Sequence, residues 1–327
     1  MNMDSSPKLL LSHTFTSFEE LAAMVVAWDI DFRQLSKNYT DTTVEQIRTG
    51  NILFTHLACG CYATHAGATP KNMYTIGLPD PGCPVFRYDD QLIDQPALLV
   101  ATPGKELNIN TRPGYGVTTF SIPKSVLETY CERHFGLLLD ELLAFQNKII
   151  PISKEMAVNL RASSLELSRI TRSLSKSSGE LHFIQSFESQ LVENLFSSFL
   201  QKEQPNKEPG MSARSRMLKR AQDFIKDHEL DSLNVRDLAA AVNTSERTLE
   251  RVFNRELGIA PKKYLLGERM YGVHRHLWQS SPSEISVNEI ANAWGFWHMG
   301  QFAKDYRSLF GELPSETLNR SGATRKS

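Results

Sequence analysis

Near its C-terminus the chain repeats itself. Val235-Arg-Asp237-Leu238-Ala239 returns as Val287-Asn-Glu289-Ile290-Ala291, 52 residues later. Ser245-x3-Leu249-x3-Phe253-x3-Leu257-Gly258-x2-Pro261 returns as His298-x3-Phe302-x3-Tyr306-x3-Phe310-Gly311-x2-Pro314, 53 residues later. The one-residue difference falls in the turn between two helical patterns. A short helix, a tight turn, a longer helix, a Gly stop and a Pro make a helix-turn-helix, and here it occurs twice. Two such units in one polypeptide imply DNA read at two successive major-groove turns.

A chain of 327 residues has room for two domains, and its 41% hydrophobic content suits a packed core. Net charge is −1, which by itself argues against nucleic acid, but the charge is unevenly spread. Ala213 to Ser327 holds 18 basic and 14 acidic residues, a net +4, and the remainder holds 18 and 23, a net −5. A basic C-terminal part joined to an acidic N-terminal part suits a DNA reader that carries a separate sensor. Cys59, Cys61, Cys83 and Cys131 are too few for a disulfide scaffold at this length. The N-terminus has no basic n-region, Leu9-Leu-Leu11 is too short for a signal h-region, and no apolar run is long enough to span a bilayer. The expected location is the cytoplasm, without membrane attachment.

Along the chain, Phe18 to Asp31 reads as a helix with Leu21, Met24, Val25 and Trp28 on one stripe. From about Thr42 to Pro123 short strand-like runs alternate with turns: Val44–Arg48, Ile52–Cys59, Met73–Leu78, Val85–Tyr88, Ala97–Ala101, Leu107–Asn110 and Val117–Ile122. Thr49-Gly50, Pro81-Gly82, Pro103-Gly104 and Pro113-Gly114 supply the turns. This texture implies a sandwich or small barrel of jelly-roll type. Helices follow: one opened by Pro123 and running to about His134, then Gly136–Gln146 and Lys154–Ser173, and Leu181–Lys202 with Ile184, Phe187, Leu191, Leu195 and Phe199 in register. That last stripe either pairs two protomers or covers the chain's own barrel; periodicity alone does not choose. The expected organisation is an N-terminal sensor and dimerisation domain over 1–200, with a barrel at about 42–123 and helices over 124–200. A Pro- and Gly-bearing linker over 201–212 and a DNA-binding domain over 213–320 complete it. The fold class is α+β, with an all-α C-terminal part.

In the first unit Asn234 caps a helix over Val235–Val242, Asn243-Thr244 turns the chain, and Ser245 caps the reader. Leu249, Val252, Phe253 and Leu257 form its apolar stripe, opposite Glu246, Arg247, Glu250, Arg251 and Asn254. A reader needs this division: one face held by its own domain, the other carrying long hydrogen-bonding groups. Arg presents a bidentate fork to guanine O6 and N7, while Ser245, Thr248 and Arg255 are placed for phosphates. In the second unit Ser286 caps Val287–Trp294, Gly295-Phe296 turns the chain, and the helix His298–Leu309 buries Phe302, Tyr306, Leu309 and Phe310. Its outer face offers His298, Met299, Gln301, Lys304, Asp305 and Ser308. Gln301 suits adenine, and Lys304 suits guanine or phosphate. Gly300 gives close approach to the sugar–phosphate chain. Trp297 either packs the turn or touches that backbone. A helix over Pro261–Trp278, with Tyr264, Leu265, Met270, Val273 and Leu277 on one stripe, would hold the readers roughly 34 Å apart.

These residues resemble the DNA-binding domain of the AraC/XylS transcription regulators over about Arg220 to Leu318. The matching positions are Leu238-Ala239, Ser245-x-Arg247-x-Leu249-x-Arg251-x-Phe253, Gly258-x-x-Pro261-x-x-Tyr264, Arg269, Ile290-Ala291-x3-Gly295-Phe296, Phe302 and Phe310-Gly311-x-x-Pro314. The stretch Gly295 to Tyr306 looks most like the ethanolamine-utilisation regulator branch. Two departures stand out: Trp297-His298 where the family usually has small polar residues, and Thr317-Leu318 where it commonly has Tyr-Arg. They touch the second unit's base contacts, not its fold. The resemblance implies a sequence-specific regulator, usually an activator, with RNA polymerase as a partner and a cupin-like effector or dimerisation barrel at the N-terminus.

His56-x2-Cys59-x-Cys61-x3-His65 has the residue types of a metal site. Strand alternation, however, puts Leu53, Thr55, Leu57, Cys59 and Cys61 on one side and His56 on the other, which favours buried thiols. The strand-rich part has no His-x-His plus Glu cluster of the kind cupin metalloenzymes use. His274 and His276 sit about 200° apart around a helix and do not chelate. No cofactor is expected. The competing class is a cupin-type metal-dependent enzyme with an appended DNA-binding domain, which a bound transition metal would reveal. An architectural DNA binder without a ligand would show low sequence preference.

Overall fold

A computed structural model of the chain describes residues 8–15, 18–25, 27–36, 41–136, 139, 148–173, 178–200, 212–228 and 233–324. The expected helix over Gly136–Gln146 and the linker over 201–212 lie almost entirely outside them. The strand-rich half is built from two antiparallel sheets that do not close into one barrel. One has the order β1(Lys8–Phe15), β3(Thr42–Arg48), β4(Leu53–Cys59), β11(Tyr115–Pro123), β6(Met73–Pro79), β9(Ala97–Ala101), β12(Lys148–Pro151). The other has the order β2(Asp29–Gln34), β5(Ala63–Ala68), β10(Glu106–Thr111), β7(Phe86–Tyr88), β8(Gln91–Ile93).

Alternation along the central strands creates two apolar layers. Leu57, Leu99, Tyr115 and Val117 face Phe32, Phe86 and Leu107 between the sheets. Phe54, Ile76, Leu98 and Phe120 face outward and are covered by helices. Those helices are α2(Lys124–Phe135), α3(Lys154–Ser173) and α4(Ser178–Leu200). Leu191 and Leu195, 2% and 1% exposed, lie in this second layer with Ile184 and Phe196. Within the Leu181–Lys202 stripe, Ile184, Leu191 and Leu195 therefore cover the chain's own sheet, with Phe187 packed against them.

The helix expected over Phe18 to Asp31 is a shorter one, α1(Phe18–Met24), followed by strand β2. Ala27 takes a left-handed φ of 69°, which ends the helical path and frees Ile30 and Phe32 to alternate in a strand. Strands therefore run from Lys8 to Pro151, beyond the expected 42–123.

The C-terminal half is helical: α5(Ala213–Asp227), α6(Val235–Ala241), α7(Glu246–Glu256), α8(Pro261–Gln279), α9(Val287–Ala293), α10(Met299–Phe310) and α11(Pro314–Thr324). It carries two cores rather than one. Leu218, Ala221, Leu238, Leu249, Phe253 and Tyr264 fill the first, and Met270, Val273, Ile290, Trp294, Phe302 and Tyr306 fill the second. Helix α8 opens with Pro261 at its first position and contributes to both. Its glycines are seats for neighbours: a Cβ on Gly272 would sit 2.0 Å from the Trp294 ring, and one on Gly267 would sit 3.1 Å from the Leu35 backbone.

Candidate DNA-binding surface

Each helix-turn-helix is set by local chemistry at its caps. Asn234 accepts from the Arg236 and Asp237 amides while Asp237 accepts from the Asn234 amide, closing a capping box on α6. Ser286 and Glu289 repeat this on α9, and these hydrogen bonds hold the Glu289 carboxyl below its usual range. The first turn passes through Asn243 at a left-handed φ of 54°, the second through Gly295 at 75°. Asn and Gly are the residues that reach this region at low cost.

Ser245 then caps α7 by accepting from the Thr248 amide at 3.2 Å, and its hydroxyl lies 2.9 Å from that of Thr248. Leu249, Val252 and Phe253 are buried, which leaves Glu246, Arg247, Thr248, Glu250, Arg251, Asn254 and Arg255 exposed. Among the described residues neither Arg247 nor Arg251 is engaged in an ion pair. In the second unit Phe302, Tyr306 and Leu309 are buried, and His298, Gln301 and Lys304 are exposed with Trp297 at 71%. Met299 is half-buried against the second core, so only part of it faces outward. His298 occupies the N-cap position of α10 without a side-chain cap bond. Arg307, not singled out from the sequence, is exposed on the same helix. Arg269 supports the second turn from below, its guanidinium 5.2 Å from the centre of the Phe296 ring, and burial lowers its pKa.

Residues with no functional reading in the sequence hold the first unit and α8 against the strand-rich half. Arg87 on β7 donates to Glu256, the last residue of α7, at 2.5 Å, and to Ser215 at 3.3 Å. The side chains of that pair are 1% and 6% exposed. Arg33 on β2 pairs with Glu268 of α8 at 2.9 Å and with Asp31 at 2.9 Å, while Tyr271 donates to Asp31. Burial raises the Glu268 carboxyl above its usual range, against the pull of Arg33. Burial also works against the Arg33 charge, but Glu268 and Asp31 together hold it more firmly protonated than a free guanidinium. The turn after α7 fits the same surface: Gly258, at φ +75°, leaves only 2.9 Å between a notional Cβ and Arg112 Nε. One signal was available in the sequence. Glu256 continues the stripe of Leu249, Val252 and Phe253, and a carboxylate on a buried stripe needs a buried partner.

Of the mixed His/Cys stretch only His56 stands apart, while His65 is hydrogen-bonded to Cys59 beside Cys61. His56 contacts Asp80 at 3.0 Å and Arg161 at 2.9 Å, whereas the Cys59 and Cys61 sulfurs lie 3.4 Å apart between the sheets. His276 accepts from Trp294 Nε1 at 3.4 Å, and His274 Nδ1 meets the Tyr306 hydroxyl at 2.5 Å.

Two capped units with outward Arg, Lys and Gln side chains on one connecting helix define a DNA-reading protein. A model of a helix-turn-helix domain matches residues 238–320. The chain is 38% identical over 101 residues to the XylDLEGF operon transcriptional activator 3 of Pseudomonas putida, covering 31% of this chain and 30% of that protein. It is 30% identical over 138 residues to XylDLEGF operon transcriptional activator 2 of the same organism, covering 42% of this chain and 83% of the relative. An AraC-type regulator structure from Chromobacterium violaceum matches at 30% identity over 32% of this chain and 92% of that one, with a TM-score of 0.30. The matched segment spans about a third of the length of the first relatives. The chain belongs to the AraC/XylS family of transcription regulators.

Proposed function

We propose that the protein is a sequence-specific, effector-responsive transcription activator that reads two successive major-groove turns with α7 and α10. The observation that carries this reading is the pair of helix-turn-helix units joined by one continuous helix, with Arg247 and Arg251 exposed on one reader and Gln301 and Lys304 exposed on the other. In it Arg247 and Arg251 hydrogen-bond guanine edges, Glu246 and Glu250 accept from cytosine amino groups, and Gln301 pairs with adenine. Ser245, Thr248, Arg255 and His298 hold phosphates, Lys304 binds guanine or phosphate, and Met299 and Trp297 supply apolar contact. The first unit reads mainly by charge, the second mainly by amide and apolar groups.

The same reading divides the chain into a sensor over 1–200, a linker over 201–212 and a reader over 213–320. The sensor binds a small molecule, two chains pair on neighbouring half-sites, and the bound complex engages RNA polymerase. The names of the P. putida relatives support activation. The stretch Gly295–Tyr306 is the ground for placing the chain beside the ethanolamine-utilisation regulators. A cytoplasmic location accords with this role, and among the described residues no helix is long and apolar enough to cross a membrane.

Genomic footprinting with the full chain, with and without candidate metabolites, tests this. The expected result is protected tracts spanning two major-groove turns per chain, altered by one metabolite. Retardation of all duplexes alike, with no enriched sequence, overturns it.

A further inference from the structure

The two readers are not equivalent, and the difference is concentrated at their N-terminal ends. Aligned through the repeat, Trp297 stands where the first unit has Thr244, and Gly300 stands where it has Arg247. A polar, protruding reader has been exchanged for an indole and a gap. Among the described residues no packing contact accounts for either residue. Trp297 is 71% exposed, while its neighbours Trp294 and Phe296 pack in or against the second core. A Cβ on Gly300 would meet nothing within 4 Å, although glycine weakens a helix relative to alanine.

The turn that presents Trp297 is nevertheless fixed. The Gly295 amide donates to the Asn292 carbonyl at 3.0 Å, the Phe296 amide to the Ala291 carbonyl at 2.9 Å, and the Phe302 amide to the His298 carbonyl at 2.9 Å. An indole on a rigid turn just before a recognition helix is at the end of that helix that meets base edges. The apolar feature of the major groove is the thymine C5-methyl group.

We propose that Trp297 and the gap at Gly300 form an apolar notch for a thymine methyl, so that the second unit selects a T·A pair at the register where the first unit presents Arg247. The proposal rests on the DNA-reading role given above. It makes Trp297 a specificity-determining residue, not merely a contact to the sugar–phosphate chain.

The test uses the full chain and a duplex enriched by that chain from a random library, with each thymine replaced in turn by deoxyuridine. Wild type loses roughly fourfold in affinity at one position, the equivalent of one buried methyl-sized group. Trp297→Ala binds the unmodified duplex more weakly and shows no further loss with uracil there. Gly300→Ala, which fills the notch and favours the helix, also loses the uracil effect. Arg247→Ala keeps it. An unchanged uracil penalty in both Trp297→Ala and Gly300→Ala overturns the proposal while leaving DNA reading intact. Unaltered DNA binding by Trp297→Ala with lost transcription in a purified system also overturns it, since the indole would then face polymerase. Failure to enrich any duplex removes DNA reading itself, and this proposal with it.

Discussion

The Arg87–Glu256 pair gives a direct measure of how firmly the strand-rich half holds the first reader. Its side chains are 1% and 6% exposed, and it spans from β7 to the end of α7. Burial lowers the Arg87 pKa despite the attraction of Glu256 and Asp90, so the charge is desolvated as well as paired. Removing one member of such a pair strands the other, at a cost of about 3–5 kcal/mol, whereas replacing both with apolar residues is close to neutral. Glu256→Met and Arg87→Met are each expected to lose about 3 kcal/mol, and the double variant to recover most of it. The halves have a cheaper escape than unfolding, because separation returns water to the stranded group. The loss should therefore read as undocking. Hydrogen exchange at Phe86–Tyr88 and at the last turn of α7 is expected to speed up by about a hundredfold in each single variant, the factor equivalent to roughly 3 kcal/mol. Exchange in α9 and α10 should hold steady. Coupling below about 0.5 kcal/mol in the double-mutant cycle would refute the argument, since the two charges would then act independently.

Four further outcomes are expected. Gly272→Ala forces a methyl against the Trp294 ring and should destabilise the second unit by about 1–3 kcal/mol, the range for overpacking, seen as a lower midpoint of thermal unfolding. Because burial raises the Glu268 carboxyl in the docked state, that state binds more protons than the undocked one. Docking should strengthen as pH falls from neutral through the raised pKa, levelling below the usual Glu range, and Glu268→Gln should flatten this dependence in exchange measurements. Leu191→Asp with Leu195→Asp buries two carboxylates in the layer over the seven-stranded sheet and should unfold the N-terminal half, visible by circular dichroism. Arg247→Ala or Arg251→Ala should each cost about 1–3 kcal/mol and relax one base position, while Lys304→Ala weakens binding more evenly if it holds phosphate, as binding to a library of duplex variants will report.

How much of this was legible in the sequence depended on range. The helix-turn-helix pair is written in contacts a few residues apart: the Asn234 and Ser286 boxes, the turn residues and the apolar spacing of α7 and α10. Those elements emerge within a residue or two of expectation. Strand β2 was missed because Trp28 and Phe32 also continue a helical stripe from Leu21, and the break at Ala27 has no marker in residue type. Strand β5, Ala63-Thr-His-Ala-Gly-Ala68, has only Thr64 among the branched and aromatic residues that signal a strand; it is one because β2 and β10 pair with both of its edges. The Leu181–Lys202 stripe was visible, but not what it faces. Arg87–Glu256 and Arg33–Glu268 join residues 169 and 235 apart; the stripe position of Glu256 calls for a buried partner, but no local pattern names which residue it is.

One of those long-range pairs, Arg33–Glu268, ends on helix α8. Helix α8 carries Tyr264 and Leu265 into the first core and Met270, Val273 and Leu277 into the second. Between these it offers Gly267, Glu268 and Tyr271 to the strand-rich half, where Leu35, Arg33 and Asp31 meet them. A helix is stiff over this distance, so a shift of β2 moves α8 as a body. The grip falls on the element that sets the spacing of the two readers, and on the C-terminal end of α7, while Arg247, Arg251, Gln301 and Lys304 stay outside it. On the function proposed above, an effector acting through this junction would reposition both units from α8 without touching Arg247, Arg251, Gln301 or Lys304.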